Sequence, residues 1–186
     1  SDLEDLARAC GEISGLLIVD EAYAEFSQEK SAVNLISKYP NVVVVRTMSK
    51  AFAFAGARVG YAVCNEAIVD AMLVTRLPYH LSSTTQALAL VALNNSKALL
   101  AEVDALISER DRVAAQLTKL GFEVSPSSAN FLLFRGFNAD SKSAWESLVA
   151  AGILVRDVGL SGYLRVTIGL PSENDEFLTA IAALRS

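Results

Sequence analysis

Two short apolar runs constrain this chain more than any other feature: residues 16–19, and the four consecutive valines at 42–45, with a helical stretch expected near 29–38 between them. Runs this short and apolar read as buried strands, and the strand–helix–strand order makes the two parallel. A third strand-like segment spans 60–64. Only about a dozen residues separate it from the second, too few for a helical crossover, so an antiparallel course is expected, with the intervening loop making the turn. In open α/β sheets ligands bind beyond the carboxyl ends of the strands. Polar residues collect at those places: Asp20 and Tyr23 after the first run, Ser49, Lys50 and Arg58 after the second.

Each of these residue types suits one task in holding pyridoxal 5'-phosphate. The Lys50 amine can condense with the cofactor aldehyde. A carboxylate at Asp20 can face the pyridine nitrogen and keep it protonated, so that the ring draws electrons. The Tyr23 phenol can reach the ring's 3-oxygen. The Ser49 hydroxyl and the Arg58 fork suit the phosphate, since guanidinium binds its oxygens in pairs. Singly, an acid at a strand end is a loop start or a helix cap, and a Ser-Lys pair is solvated surface. It is their order, each at a strand terminus, that points to one site.

With those residues in view, the chain resembles the fold-type I aminotransferases. The segments that carry the resemblance are Val-Asp-Glu-Ala-Tyr-Ala-Glu-Phe (19–26), Arg-Thr-Met-Ser-Lys-Ala-Phe (46–52), Ala-Gly-Ala-Arg-Val-Gly-Tyr (55–61), Arg-Leu-Pro-Tyr-His-Leu-Ser (76–82), Ala-Asn-Phe-Leu-Leu-Phe-Arg (129–135) and Tyr-Leu-Arg-Val-Thr-Ile-Gly (163–169). The lysine segment is shared widely in the family, whereas the Glu-Phe at 25–26 and the Leu-Pro-Tyr-His segment point to its histidinol-phosphate branch. Position 57 is Ala where members often carry Gly or Leu.

The resemblance implies an α/β architecture. Residues 1–95 would be the C-terminal portion of the cofactor-binding large domain, with a mixed, mostly parallel sheet. Residues 96–186 would be a small C-terminal α/β domain entered through a long helix. It implies transamination between histidinol phosphate and 2-oxoglutarate or glutamate, in the cytoplasm, by a homodimer that shares residues across its interface. Lys50 would carry the proton transfers. Arg165 would clamp the amino-acid α-carboxylate, with Tyr79 and Arg156 as candidates for the substrate's distal phosphate. Related alternatives are an aromatic aminotransferase or a threonine-phosphate decarboxylase. An alternative of another class is a silent interaction domain that keeps the fold without binding cofactor.

Bulk properties fit that picture. A hydrophobic content of 52% means that the chain buries a substantial core or buries surface against something else. A net charge of −5 argues against nucleic-acid or membrane-surface binding, which want basic patches. His80 is the single histidine, so multi-histidine metal sites are excluded, and Cys10 and Cys64 have no metal-ligand spacing. No charge-free apolar stretch approaches 18 residues, the length a membrane-spanning helix needs.

Along the rest of the chain, helices are expected near 2–11, 66–76, 83–94, 97–119, 140–151 and 172–185, and strands near 122–125, 131–135, 153–155 and 164–168. Ser1 and Glu4 form a capping-box pattern at the first residue. Three strands leave sheet faces and an edge open, and the family's phosphate turn, ring-stacking aromatic and asparagine–proline loop have no counterpart here. The expectation is therefore a C-terminal half that alone turns over weakly or not at all.

Overall fold

The structure is a computed structural model that describes residues 2–138 and 140–185. The capping role expected of Ser1 lies outside the described residues. The chain divides into two compact units, residues 1–101 and 102–186.

The first unit opens with α1 (Asp2–Glu12), followed by β1 (Leu17–Asp20), β2 (Val42–Thr47) and β3 (Gly60–Val63). β1 and β2 are parallel, with Leu17 opposite Val42 and Asp20 opposite Val45. β3 returns antiparallel, with Val44 opposite Val63 and Thr47 opposite Gly60. The sheet is therefore mixed, with one interface of each kind. Strand alternation turns Leu17, Val19, Val42 and Val44 toward a core shared with Leu3 and Ala7 of α1, while Ile18 stays 63% exposed. Burying Val42, Val43 and Val44 of β2 contributes roughly 1.5–3 kcal/mol each. Gly60 is required by contact: a Cβ there would lie 2.9 Å from the Arg46 carbonyl oxygen across the ladder.

The helix expected near 29–38 is instead a single 3-10 turn, Ala32–Leu35. Two causes act together. The Glu21 carboxylate takes the Ala32 N–H at 2.6 Å, while the Ser31 side chain caps Val33 N at 3.1 Å, and both fix the turn's start. Pro40 then disfavours helical backbone at Tyr39. Beyond the sheet, α2 (Glu66–Thr75) and α3 (Ser83–Asn94) start on caps, Asn65 accepting from Ala67 N and Ser82 from Thr85 N. Neither helix has a buried residue, although both are rich in apolar side chains.

α4 (Ser96–Lys119) ends at Gly121, whose φ of +84° lets Phe122 N bond back to Leu117 O at 3.0 Å. The second unit then builds a four-stranded antiparallel sheet in the order β4 (Glu123–Val124), β5 (Phe131–Arg135), β7 (Tyr163–Thr167), β6 (Arg156–Asp157). It is packed with α5 (Ser141–Ala150) and α6 (Pro171–Ala183). Its core gathers Leu132 and Phe134 of β5, Leu164 and Val166 of β7, and Leu117, Phe122, Leu148, Phe177 and Ile181. Phe134 meets Phe122 edge-on at 5.5 Å and Phe177 at 5.9 Å between ring centroids, a favoured aromatic geometry.

The strand expected at 153–155 is displaced to Arg156–Asp157. Ile153 N closes the end of α5 by bonding to Leu148 O at 2.9 Å, and the Val155 carbonyl accepts from Trp145 Nε1 at 2.9 Å. Those backbone groups are occupied before the ladder begins. Buried Asn174 ties α6 to its surroundings, giving its amide N–H to Gly169 O and Glu109 and accepting from Gly169 N.

Candidate active site

At the carboxyl end of β1 the ladder continues one step beyond the strand, through Glu21 N to Val45 O at 2.8 Å. Asp20 is exposed there and accepts from Ala22 N at 3.0 Å, a side-chain turn that peels the chain away from the sheet. Tyr23 follows, half-buried, and a 3-10 turn at Ala24–Phe26 closes the segment by Phe26 N to Tyr23 O at 3.0 Å.

At the carboxyl end of β2 the chain passes through a narrow neck, where Met48 N bonds Val59 O and Phe54 N bonds Met48 O, both at 3.0 Å. The Thr47 hydroxyl accepts from Ser49 N at 3.1 Å and lies 2.9 Å from the Ser49 hydroxyl. Because Met48 and Val59 are joined, Ser49 and Arg58 flank the neck as the next positions on either side. Buried Met48 and Ala51 anchor the loop, and Ala53 and Arg58 adopt left-handed backbone, φ +51° and +56°. Such conformations in non-glycine residues cost free energy and persist where the surroundings impose them. Arg58 gives one Nη1–H to Ala55 O at 3.0 Å. Lys50 is exposed, and its amine lies 5.3 Å from the centre of the Tyr23 ring.

The structure thus brings Lys50 and Tyr23 together, sets Asp20 at the same end of the sheet, and holds Ser49 and Arg58 on the two sides of one loop neck. Tyr79 is different. It sits 98% exposed in the turn between α2 and α3, with φ +55°, against no other candidate residue among those described.

Beside these candidates lies a charge cluster that the motif reading passed over. Arg46 of β2 donates to Glu21 Oε2 from Nε at 3.1 Å and from Nη2 at 2.8 Å, and its Nη1 is 3.6 Å from Glu25 Oε1. Burial pushes the Glu21 carboxyl up, but the Ala32 N–H, Arg46 and Ser31 outweigh it, and the group is held below the ordinary glutamate range. The signal available in sequence was a lone arginine closing a run of four valines, the single charged side chain of the strand pattern.

In the second unit Arg165 lies on the sheet face opposite the core, between the buried Leu164 and Val166. Its cross-strand partner on β6 is Arg156, so two like charges stand directly opposite. The Arg165 guanidinium carbon is 4.8 Å from the centre of the Phe131 ring, and its Nε is buried without a hydrogen-bond partner. A buried donor of a charged group left unpaired is costly, and a guanidinium fork suits a carboxylate or a phosphate. Among the described residues no group of three or more His, Cys, Asp or Glu could hold a metal ion. Among the described residues no helix is long and apolar enough to cross a membrane.

The family model described as aminotransferase class I and II matches residues 1–181. The histidinol-phosphate aminotransferase of Mycobacterium ulcerans (strain Agy99) is 55% identical over 183 residues, covering 98% of this chain and 48% of the relative. The crystal structure of the histidinol-phosphate aminotransferase from Clostridium acetobutylicum is similar with a TM-score of 0.87 at 27% identity, over 97% of this chain and 57% of that one. The enzyme of the same name from Sinorhizobium meliloti, solved in complex with pyridoxal-5'-phosphate, is similar at TM-score 0.82 and 25% identity, over 98% and 52% of the two chains. The chain spans about half the length of the curated relatives it matches.

Proposed function

Because this chain belongs to the class I and II aminotransferase family, we propose that it carries the cofactor anchor and substrate-holding arginines of an enzyme transferring an amino group between histidinol phosphate and 2-oxoglutarate or glutamate. The observation that carries the reading is the Lys50 amine 5.3 Å from the Tyr23 ring, at the sheet end where Asp20 also stands. The donor set fits pyridoxal 5'-phosphate: an accessible amine, a phenol beside it, an exposed acid, and a hydroxyl and a guanidinium flanking one neck.

When bound, that cofactor supplies an aldehyde for amine capture and an electron-poor ring that stabilises negative charge at the substrate Cα. The Asp20 carboxylate would hold a proton on the ring nitrogen. The Tyr23 phenol would donate to the 3-oxygen, and Ser49 and Arg58 would hold the phosphate. The Lys50 amine would take the proton from the substrate Cα as general base and deliver it, as general acid, to the cofactor carbon that bore the aldehyde. Arg165 pairs its fork with the α-carboxylate of glutamate, a role supported by its unpartnered Nε. Tyr79 and Arg156 are assigned to the distal phosphate of histidinol phosphate.

Residues 1–95 read as part of the cofactor-binding domain and residues 96–186 as the small domain of a cytoplasmic homodimer. The half-length match and the exposed apolar side chains of α2 and α3 support slow turnover by these 186 residues alone. The test is a stoichiometric half-reaction: supply the cofactor, add one amino donor, and measure its conversion to the amine form. Histidinol phosphate should react faster than phenylalanine or threonine phosphate. Preference for phenylalanine, or carbon dioxide release from threonine phosphate, would overturn the substrate assignment.

A further inference from the structure

The segment that carries Tyr23 has few backbone reasons to stay where it is. After Glu21 N reaches Val45 O the sheet ladder stops, and the bonds that follow, Ala24 N to Glu21 O and Phe26 N to Tyr23 O, are local to the turn. Local turns fix the shape of a segment but not its direction against the sheet. That direction is set by side chains: Phe26 at the turn's end is buried, and two acids add a charged tie. Glu21 and Glu25 bracket Tyr23, two residues to either side, and both reach the guanidinium of Arg46 on the neighbouring strand. We infer that Arg46 is a positioning residue: by holding the carboxylates of Glu21 and Glu25 at once, it pins both ends of the turn and fixes the Tyr23 phenol beside the Lys50 amine.

Three features support the assignment. The three side chains are largely withdrawn from water, with exposures of 23% for Arg46, 11% for Glu21 and 15% for Glu25, so the pairing is weakly screened compared with surface pairs. Glu21 cannot swing away, because its remaining acceptor sites take the Ala32 N–H at 2.6 Å and the Ser31 hydroxyl at 2.8 Å. Arg46 is itself fixed, since its backbone lies in the middle strand of the sheet opposite Tyr61 of β3, whose phenol also raises its basicity. A planar fork with five N–H groups can engage two carboxylates together, whereas a lysine ammonium at the same place is a point charge on a flexible stem.

The consequence for chemistry rests on the proposed cofactor role of Tyr23 and Lys50, but the geometry can be read without any cofactor. Reductive methylation with 13C-formaldehyde gives each lysine an NMR signal, and the Lys50 signal is identified by its loss in Lys50→Arg. An amine near an aromatic ring is displaced by the ring current, so Tyr23→Leu should return the Lys50 signal to the position of exposed lysines such as Lys142. Arg46→Gln should remove a large part of the displacement while the other lysine signals change little, with a lowered thermal midpoint of the far-UV spectrum because two carboxylates lose their partner. Arg46→Lys should restore the displacement only in part.

Should Arg46→Gln fail to fold, Glu25→Gln decides the matter, because it leaves the Glu21 pair intact and frees one end of the turn. Loss of at least part of the displacement is expected there. A Lys50 signal that responds to Tyr23→Leu but not to Arg46→Gln or Glu25→Gln would overturn the inference. Failure of the cofactor reading would show separately, as absence of cofactor attachment at Lys50.

Discussion

Replacing Arg165 by methionine should make the protein more stable while removing the carboxylate grip proposed for it. Arg165 Nε is buried with no hydrogen-bond partner, and leaving such a donor unmade costs about 1–3 kcal/mol. Arg156 stands directly across the ladder, and like charges in that position cost a further ~0.2–1 kcal/mol by analogy with other cross-strand pairs. Against these stands the contact of the guanidinium with the Phe131 ring at 4.8 Å, worth ~0.5–1 kcal/mol at a partly exposed site. Methionine keeps an unbranched apolar stem against Phe131 and carries no charge. The balance favours Arg165→Met by about 1–2 kcal/mol, a midpoint shift of roughly 2–8 °C for a chain of this size. Urea unfolding followed by circular dichroism measures it, with the slope unchanged. A variant destabilised by more than about 1 kcal/mol would refute the reasoning, because Arg165 would then be held by a structural partner rather than kept for a ligand.

Other expectations follow from the same geometry. Glu21→Gln should cost about 1.5–3 kcal/mol at neutral pH, through loss of charge-assisted bonds to Arg46 and Ala32 N. Since the native Glu21 carboxyl is held below its ordinary range, its contribution is whole above the unfolded value and lost as pH falls through the lowered native one. The gap between wild type and Glu21→Gln in pH-dependent urea midpoints should therefore close on acidification, and a gap constant down to that range would contradict the pairing. Gly60→Ala forces a Cβ to 2.9 Å from the Arg46 carbonyl and should destabilise by about 1–3 kcal/mol in the same assay, where a neutral result would count against the ladder register. Asp20→Asn should leave cofactor attachment intact but slow the amino-transfer half-reaction at least tenfold, equivalent to ~1.4 kcal/mol. An unchanged rate would remove Asp20 from the ring nitrogen.

Much of the framework was legible because it follows from local rules. The valines at 42–45 form the expected strand, buried at Val42, Val43 and Val44, and the short return from β2 to β3 forced the antiparallel course seen in the register of Thr47 with Gly60. The positions of Asp20, Tyr23, Ser49 and Lys50 near the carboxyl ends of β1 and β2 were readable for a related reason, as polar residues where apolar runs stop. What escaped the sequence depended on partners far along the chain. The turn at Ala32–Leu35 looked helical until the carboxylate of Glu21, eleven residues earlier, claimed its first N–H. β6 lay three residues later than its apolar pattern indicated, because Trp145 had taken the Val155 carbonyl. Arg46 was passed over because its two acids come from another strand end, and spacing in sequence does not encode that meeting. Arg165 was placed on its strand by pattern, but its orphaned Nε and its opposition to Arg156 became visible only in the ladder.

The central claim, that Lys50 is the amine that captures the cofactor, has a direct measurement. The 186-residue chain is mixed with substoichiometric pyridoxal 5'-phosphate, reduced with borohydride, digested, and its modified peptides quantified by mass spectrometry. The account predicts one dominant adduct, on Lys50, that Lys50→Arg abolishes and that does not migrate to another lysine. Adducts spread evenly over Lys30, Lys97 and Lys142, with Lys50 no more reactive than they are, would contradict it.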